Sequence, residues 1–403
     1  MNELTDQLER YEQEVIALRR DFHRHPELGF EEHRTAQVIE AYLRDLGLET
    51  QRVAGTGVVA VLRGRCPEPV LMLRADMDAL PITEENEIDY KSQNEGVMHA
   101  CGHDAHMAVL LVAAKILVQH KDALDGTIKF VFQPNEEIAG APQMIEEGVL
   151  ENPRVDAVMG IHVWAPVAAG RIAITAGPVM GGLDVFKLTI SGKGGHTGVP
   201  EDAIDPVLCA ANLIQTAQMI QTREISNLKT TIIMFGKISG GTKSNIIPDT
   251  VDLEGSIRFL YQAGRESAEQ PTERFERIVR GVCETHRCRY QLEVIHENIP
   301  LINHPRMVAI ARKAAACVFP EPGAITDNVT SASEDFSEFS ARVPGVFIFL
   351  GAGNPDKGTT LSHHNPRFNI DEDILIKGVA MHIENALHFF NNAVWCKKEV
   401  IDP

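Results

Sequence analysis

Residues 184–192 read Asp-Val-Phe-Lys-Leu-Thr-Ile-Ser-Gly. Phe186, Leu188 and Ile190 alternate with Lys187, Thr189 and Ser191, the period-two pattern of a strand with one buried face. The stretch decides the fold because the character of the chain changes there. It is followed by a helix over 203–223, strands over 230–238 and 250–260 joined through a Gly-rich loop, a helix over 270–286 and a strand over 289–297. That is β-α-β-β-α-β in about 110 residues, the split βαβ or ferredoxin-like order.

Outward of this stretch, strands and helices alternate differently. Towards the N-terminus the spacing predicts helices over 4–24 and 32–46, the first stopping before Pro26 and the second closed by Gly47. The apolar runs 58–62 and 70–74 read as buried parallel strands. A long helix over 105–123 precedes strands over 127–132 and 156–163, with a helix between them. Beyond Pro300 come a helix over 305–318, a helix from Glu334, a strand over 346–351 and a last helix over 371–392. This alternation predicts an α/β domain. The 403 residues exceed the ~250–300 at which a single core stops growing. The expected architecture is therefore an α/β catalytic domain in two sequence pieces, 1–183 and 299–403, with an α+β domain inserted at 184–298.

The net charge is -18, from 38 Lys and Arg against 56 Asp and Glu. No Lys/Arg run exceeds two residues, which argues against a nucleic-acid partner, since phosphate binding needs basic patches. No apolar run is long enough to span a bilayer, so no membrane partner is expected. The first residues, MNELTDQLERYEQEV, contain no apolar leader, and the seven cysteines scatter from Cys66 to Cys396. Reduced thiols in a cytoplasmic protein are the expectation.

The densest chemistry lies at His99-Ala-Cys-Gly-His-Asp-Ala-His106. Three imidazoles, a thiol and a carboxylate in eight residues suit Zn, Mn, Co or Ni better than Mg or Ca. Cys101 and His103 are two apart and cannot share a helix face, so they require a turn, which Gly102 permits; Asp104 is placed to cap the helix that follows. At Phe132-Gln-Pro-Asn-Glu-Glu137, two adjacent carboxylates end an apolar strand. On an extended segment they point opposite ways, so one can ligate a metal while the other faces a reacting water. His162 lies near the end of another apolar strand, and His363 and His364 lie in a polar loop before Pro366. Each alone has a bland explanation, as core or surface. Together they supply the donors a two-ion site needs, at strand ends of one α/β domain. Cys283-x4-Cys288, with His286 between, reads as packing at a helix end.

Read together, M-H-A-C-G-H-D-A-H, R-A-D-M-D-A-L-P, Q-P-N-E-E, G-I-H, G-G-H-T-G-V-P, S-N-I-I-P-D, S-E-D-F and H-N-P-R-F resemble the signatures of the N-acyl-amino-acid amidohydrolases. That group takes in hippurate hydrolases, bacterial aminoacylases and auxin-conjugate hydrolases, within the metallopeptidase-like hydrolases. The resemblance runs from R-R-D-F-H-R-H-P-E-L-G-F-E-E at 19–32 to the last helix.

It implies two divalent metal ions per chain, bridged by Cys101 where the peptidase branch has an aspartate. His103 and His162 would complete one ion's ligands, and Glu137 and His364 the other's. Glu136 would be the general base, and Asp78 would orient groups of the metal site. His196 would steady the oxyanion across a homodimer interface, and Asn245 would contact the substrate carboxylate. The implied reaction is hydrolysis of the amide of an N-acyl amino acid, N-acetyl, N-benzoyl or similar. The rivals are a metallo-carboxypeptidase or dipeptidase on the same scaffold, which the bridging cysteine disfavours, and a catalytically decayed metal-binding protein. One departure is visible: Ile138-Ala-Gly-Ala-Pro-Gln143 stands where relatives are Gly-rich, so Pro142 is expected to reshape the acyl pocket.

Overall fold

A computed structural model describes residues 8–261 and 268–392; residues 4–7 of the first expected helix lie outside them, as does Cys396. The chain forms two compact units. One comprises the residues up to Gly177, Ile302–Asn328 and those from Glu338 onward. The other comprises Pro178–Leu301 and Val329–Ser337. The last segment had read as part of the C-terminal α/β piece.

In chain order the first unit begins with α1 (Glu12–Arg24), α2 (His33–Asp45), β1 (Thr50–Val53), β2 (Gly57–Arg63), β3 (Val70–Asp76) and α3 (His103–Gln119). It continues through β4 (Thr127–Gln133), α4 (Ala141–Glu146), β5 (Ala157–Ala168) and β6 (Ile172–Ala173). The short strand β7 (Gly177–Met180) leads into the second unit, which continues with β8 (Gly182–Ser191), β9 (Gly195–His196), α5 (Pro206–Met219), β10 (Thr230–Gly240), β11 (Ile246–Ile247), β12 (Thr250–Leu260), α6 (Pro271–Thr285) and β13 (Arg289–Asn298). The chain ends with β14 (Leu301–Asn303), α7 (Pro305–Val318), β15 (Ile325–Thr326), α8 (Phe336–Ser340), β16 (Gly345–Gly353) and α9 (Leu375–Phe390).

The second unit carries an antiparallel sheet in the order β10-β12-β8-β13. Numbered within the insertion, that is 2-3-1-4, the strand order of a split βαβ. Phe186, Leu188 and Ile190 face its core, as their alternation requires. Asp205 caps α5 by accepting from the Val207 and Leu208 amides, and a π-turn at Ile220–Glu224 ends that helix before 223.

The first unit is built on a mixed sheet in the order β1-β2-β4-β3-β5-β16-β6-β15. β3 is parallel to both β4 and β5, and β5 to β16. β2 is not a parallel strand: it runs antiparallel to β1 and β4. A strand apolar on both faces reads the same in either direction, so its composition could not decide. The expected helix over 105–123 starts at His103 and stops at Gln119, a separate 3-10 turn covering Lys121–Ala123. Fourteen of α3's 17 residues are buried, so it is an interior helix rather than an amphipathic surface one. From β3 the chain steps to β4 on one side, then crosses to β5 on the other. Such a reversal opens a crevice beyond the carboxyl ends of the strands, where ligands bind in open α/β sheets.

Candidate metal centre

Gly102 makes the turn between Cys101 and the first residue of α3. Its φ is +90°, and a Cβ there would run into the Val163 Cγ2 methyl, so both backbone and space demand glycine. The turn leaves Cys101 and His103 beside each other at the helix start. Asp104 does not cap that helix. Its carboxylate instead accepts from Arg19 Nε at 3.0 Å and lies 2.8 Å from His23 Nδ1. Arg19 beside it, against the opposing effect of burial, holds Asp104 well below the usual carboxylate range.

The Glu136-Glu137 pair lies on a 3-10 turn, Glu136–Ile138, not on an extended segment. Asn135 precedes it at φ +53°, its amide donating to the buried Glu32 carboxylate at 2.9 Å. Gly29 passes so close to Asn135 that no Cβ would fit. The Asp78 carboxylate then takes both amides of the pair, Glu136 N–H at 3.0 Å and Glu137 N–H at 3.1 Å. On a 3-10 turn consecutive side chains diverge by about 120°. The opposite-facing arrangement of an extended segment is not what forms: a carboxylate oxygen of each glutamate lies within 4.8 Å of the other and of a His103 nitrogen. Pro142 opens the short helix α4 in a helix-start position where its missing N–H costs nothing.

The histidines have distinct hydrogen-bonding states. His103 Nδ1 donates to the Asp78 backbone carbonyl at 2.9 Å, so a proton or a metal ion can be taken only at Nε2. That Nε2 is buried and makes no hydrogen bond; Asp76 Oδ2 and Glu136 Oε2 are each 3.8 Å away. His162 Nδ1 donates to the Val163 carbonyl at 2.6 Å, and its Nε2 lies 3.6 Å from Cys101 Sγ. Burial, with His106 and His363 nearby, keeps His162 neutral, its pKa well below the ordinary value. His364 sits at φ +65° in its loop, with Nε2 3.3 Å from Glu137 Oε1. His363 is turned elsewhere, onto the Val163 carbonyl at 3.0 Å and stacked on Trp164.

The donor groups here include Cys101, His103 and His162, and Cys101, Glu137 and His364, with ligand atoms in each within 4.8 Å of one another; Asp76, His103 and His106, and His103, Glu136 and Glu137, lie equally close. Cys101 belongs to the first two. The residues fit divalent ions on three counts. The donors are thiol, imidazole and carboxylate. His103 Nε2 and Glu137 Oε1 are buried polar atoms without a hydrogen bond. And although burial alone would lower His103, the carboxylates of Asp76, Asp78 and Glu137 raise it to about 10, so the cluster calls for positive charge.

Two residues the motif reading left unassigned brace this cluster. Asp76 lies 2.5 Å from His106 Nδ1 and accepts from Arg74 at 2.6 Å. His106 Nε2 accepts the Val163 amide at 2.9 Å, so both its nitrogens are used and it is no ligand. The signal was present in part: His106 shares a helix face with His103, whereas Asp76 ends β3 and Asp78 lies beyond it. His99 makes no hydrogen bond through either nitrogen, and burial lowers it to about 4.

His196 and Asn245 lie in the second unit and come together there. β9 pairs with β11, placing His196 opposite Ile246, and the Thr197 amide donates to the Asn245 carbonyl at 3.4 Å. Both residues line a cavity of about 730 Å³. His196 Nδ1 accepts from the Gly198 amide at 2.9 Å, so the proton of its neutral ring sits on Nε2. Cys283 and Cys288 are packed in this unit's apolar core.

Comparison with known proteins adds a class to this geometry. The model of peptidase family M20/M25/M40 matches residues 72–388, and the chain belongs to that family. It is 36% identical to thermostable carboxypeptidase 2 of Saccharolobus solfataricus, over 97% of this chain and 99% of that protein. It is 37% identical to N-acetyl-L-cysteine deacetylase of Bacillus subtilis, over 93% and 88% of the two chains. The crystal structure of the Bacillus subtilis YXEP protein, described as a dinuclear metal binding peptidase from the M20 family, superposes with a TM-score of 0.80 at 31% identity. It covers 94% of this chain and 98% of that one.

Proposed function

We propose that this protein hydrolyses the amide bond of N-acyl amino acids, releasing the amino acid and a carboxylate. The observation that carries the reading is the convergence of Cys101, His103, His162, Glu137 and His364 with Glu136 beyond the sheet, in a chain of the M20 family. Cys101 would bridge two divalent ions of the Zn, Mn, Co or Ni class, His103 and His162 completing one set and Glu137 and His364 the other. When bound, such ions acidify water and polarise a carbonyl.

The remaining chemistry belongs to the chain's own groups. Glu136 takes the proton of the attacking water and returns it to the leaving amine. Asp78 sets the pair by fixing both glutamate amides and, through its carbonyl, the His103 ring. His196 presents an Nε2–H, the donor an acyl oxyanion needs, and Asn245 is assigned to the substrate carboxylate. A cytoplasmic homodimer is part of the proposal; sedimentation velocity tests the dimer.

The name of the Saccharolobus relative favours a second reading, a carboxypeptidase. One assay separates the two: amine release from N-acetyl and N-benzoyl amino acids against release from dipeptides, with each metal supplied after chelation. The proposal expects faster acyl-amino-acid cleavage, lost with chelator. Preferential cleavage of dipeptides establishes the second reading, and no metal-dependent cleavage of either kind leaves a decayed binding protein.

A further inference from the structure

A second convergence of metal donors lies on the first unit, away from the residues above. Glu384 and His388 are four apart on α9 and share a face, with Glu384 Oε2 3.6 Å from His388 Nε2. Cys317, the penultimate residue of α7, brings its Sγ to 3.6 Å from the same nitrogen. The three ligand atoms lie within 4.8 Å of one another. We propose that Cys317, Glu384 and His388 form a third metal site, for a divalent ion of the zinc, cadmium and cobalt class, with its fourth position open to solvent.

Geometry is the first argument. Tetrahedral zinc, with bonds of about 2.3 Å to sulfur and about 2.0 Å to nitrogen or oxygen, sets its donors about 3.3–3.5 Å apart. The two measured separations are already within a few tenths of an ångström of that. Glu384 has the long side chain needed to close the remaining edge.

Chemistry is the second. A thiol, an imidazole and a carboxylate from two helices are the mixed set that borderline ions select, and no hard-cation site uses sulfur.

Room is the third. Cys317 and Glu384 line a cavity of about 1,060 Å³, together with His120, Lys377 and apolar groups of α3 and α9. A water or a small ligand on the fourth position has space there, as in a catalytic or exchangeable site rather than a closed structural one.

The test does not depend on the reaction proposed above, because its readouts are stoichiometry and labelling. The full-length protein, loaded with its own metal, is titrated with Cd²⁺ and compared with Cys317→Ser and His388→Gln. Wild type is expected to take one equivalent more than either variant, with a thiolate-to-cadmium absorption that Cys317→Ser removes. Each substitution weakens that equivalent at least about tenfold, the lower end of what losing even an outer partner costs a metal site. Bound Cd²⁺ slows iodoacetamide labelling of Cys317, while the exposed Cys66 labels at an unchanged rate. The inference is overturned if wild type and both variants bind the same number of ions with the same affinity, or if Cd²⁺ slows Cys66 and Cys317 alike.

Discussion

Among the described residues, buried thiols gather in two places, and only one has the makings of a metal site. In the second unit Cys209 Sγ lies 3.9 Å from Cys283 Sγ, with Cys288 in the same apolar core beside Leu213 and Phe275. The hydrogen bond to Cys283 and burial hold the Cys209 thiol far above its ordinary value, and burial pushes Cys288 up to about 12. Cys209 and Cys288 stay protonated, whereas the hydrogen bond from Cys209 lowers Cys283; apolar packing rather than polar bracing surrounds these thiols. Around Cys101, by contrast, His103 is tied at Nδ1 to a carbonyl, His162 likewise, and both glutamate amides are held by Asp78. Each tie leaves the opposite atom facing inward. Donor identity alone does not make a site; the polar bracing behind each donor does.

Substitution can break or sharpen that contrast. The largest effect is expected from Cys101→Ala, which should reduce the ion count below two per chain and abolish hydrolysis. Elemental analysis finding two ions would end the bridging role. Glu136→Gln should keep both ions yet lower kcat by about 10²–10⁴, the range of general acid–base catalysis; a near wild-type rate refutes the assignment. Asp78→Asn offers one acceptor oxygen to two amides and turns an NH₂ towards one of them. Metal affinity should fall about 10–100-fold, as for other residues that orient ligands, measured by competition with a chelator. Smallest is Cys209→Ala, expected to cost about 1 kcal/mol of stability from lost packing, with ion count and kcat unchanged. Thermal melting and metal analysis of one sample check both halves.

Much of this was legible in the chain. The alternation at 184–192 announced the inserted unit, and the string around Cys101 held two of the donors that the proposed site uses. What stayed hidden depends on neighbours distant in sequence. β2 is apolar throughout, and nothing local says whether β4 runs with or against it. Asp104 looked like a helix cap because its partners, Arg19 and His23, lie more than 80 residues away. The brace from Asp76 through His106 to the Val163 amide joins three elements that only the fold brings together. Even the 3-10 turn that carries Glu136 and Glu137 follows a left-handed Asn135 fixed by Glu32, a contact across 103 residues.

The interruption of the first unit by the second also has a consequence for synthesis. Cys101, His103, Glu137 and His162 have all been translated by residue 162, but His364 comes long after, and so does β16, the strand that pairs with β5. At translation rates of about 5–20 residues per second the gap is about 10–40 s. On the proposed ligand set, the nascent chain would for that time offer donors for one ion only, before β16 pairs with β5. Connectivity would then order the loading: one ion early, and the second only after the last hundred residues have folded back.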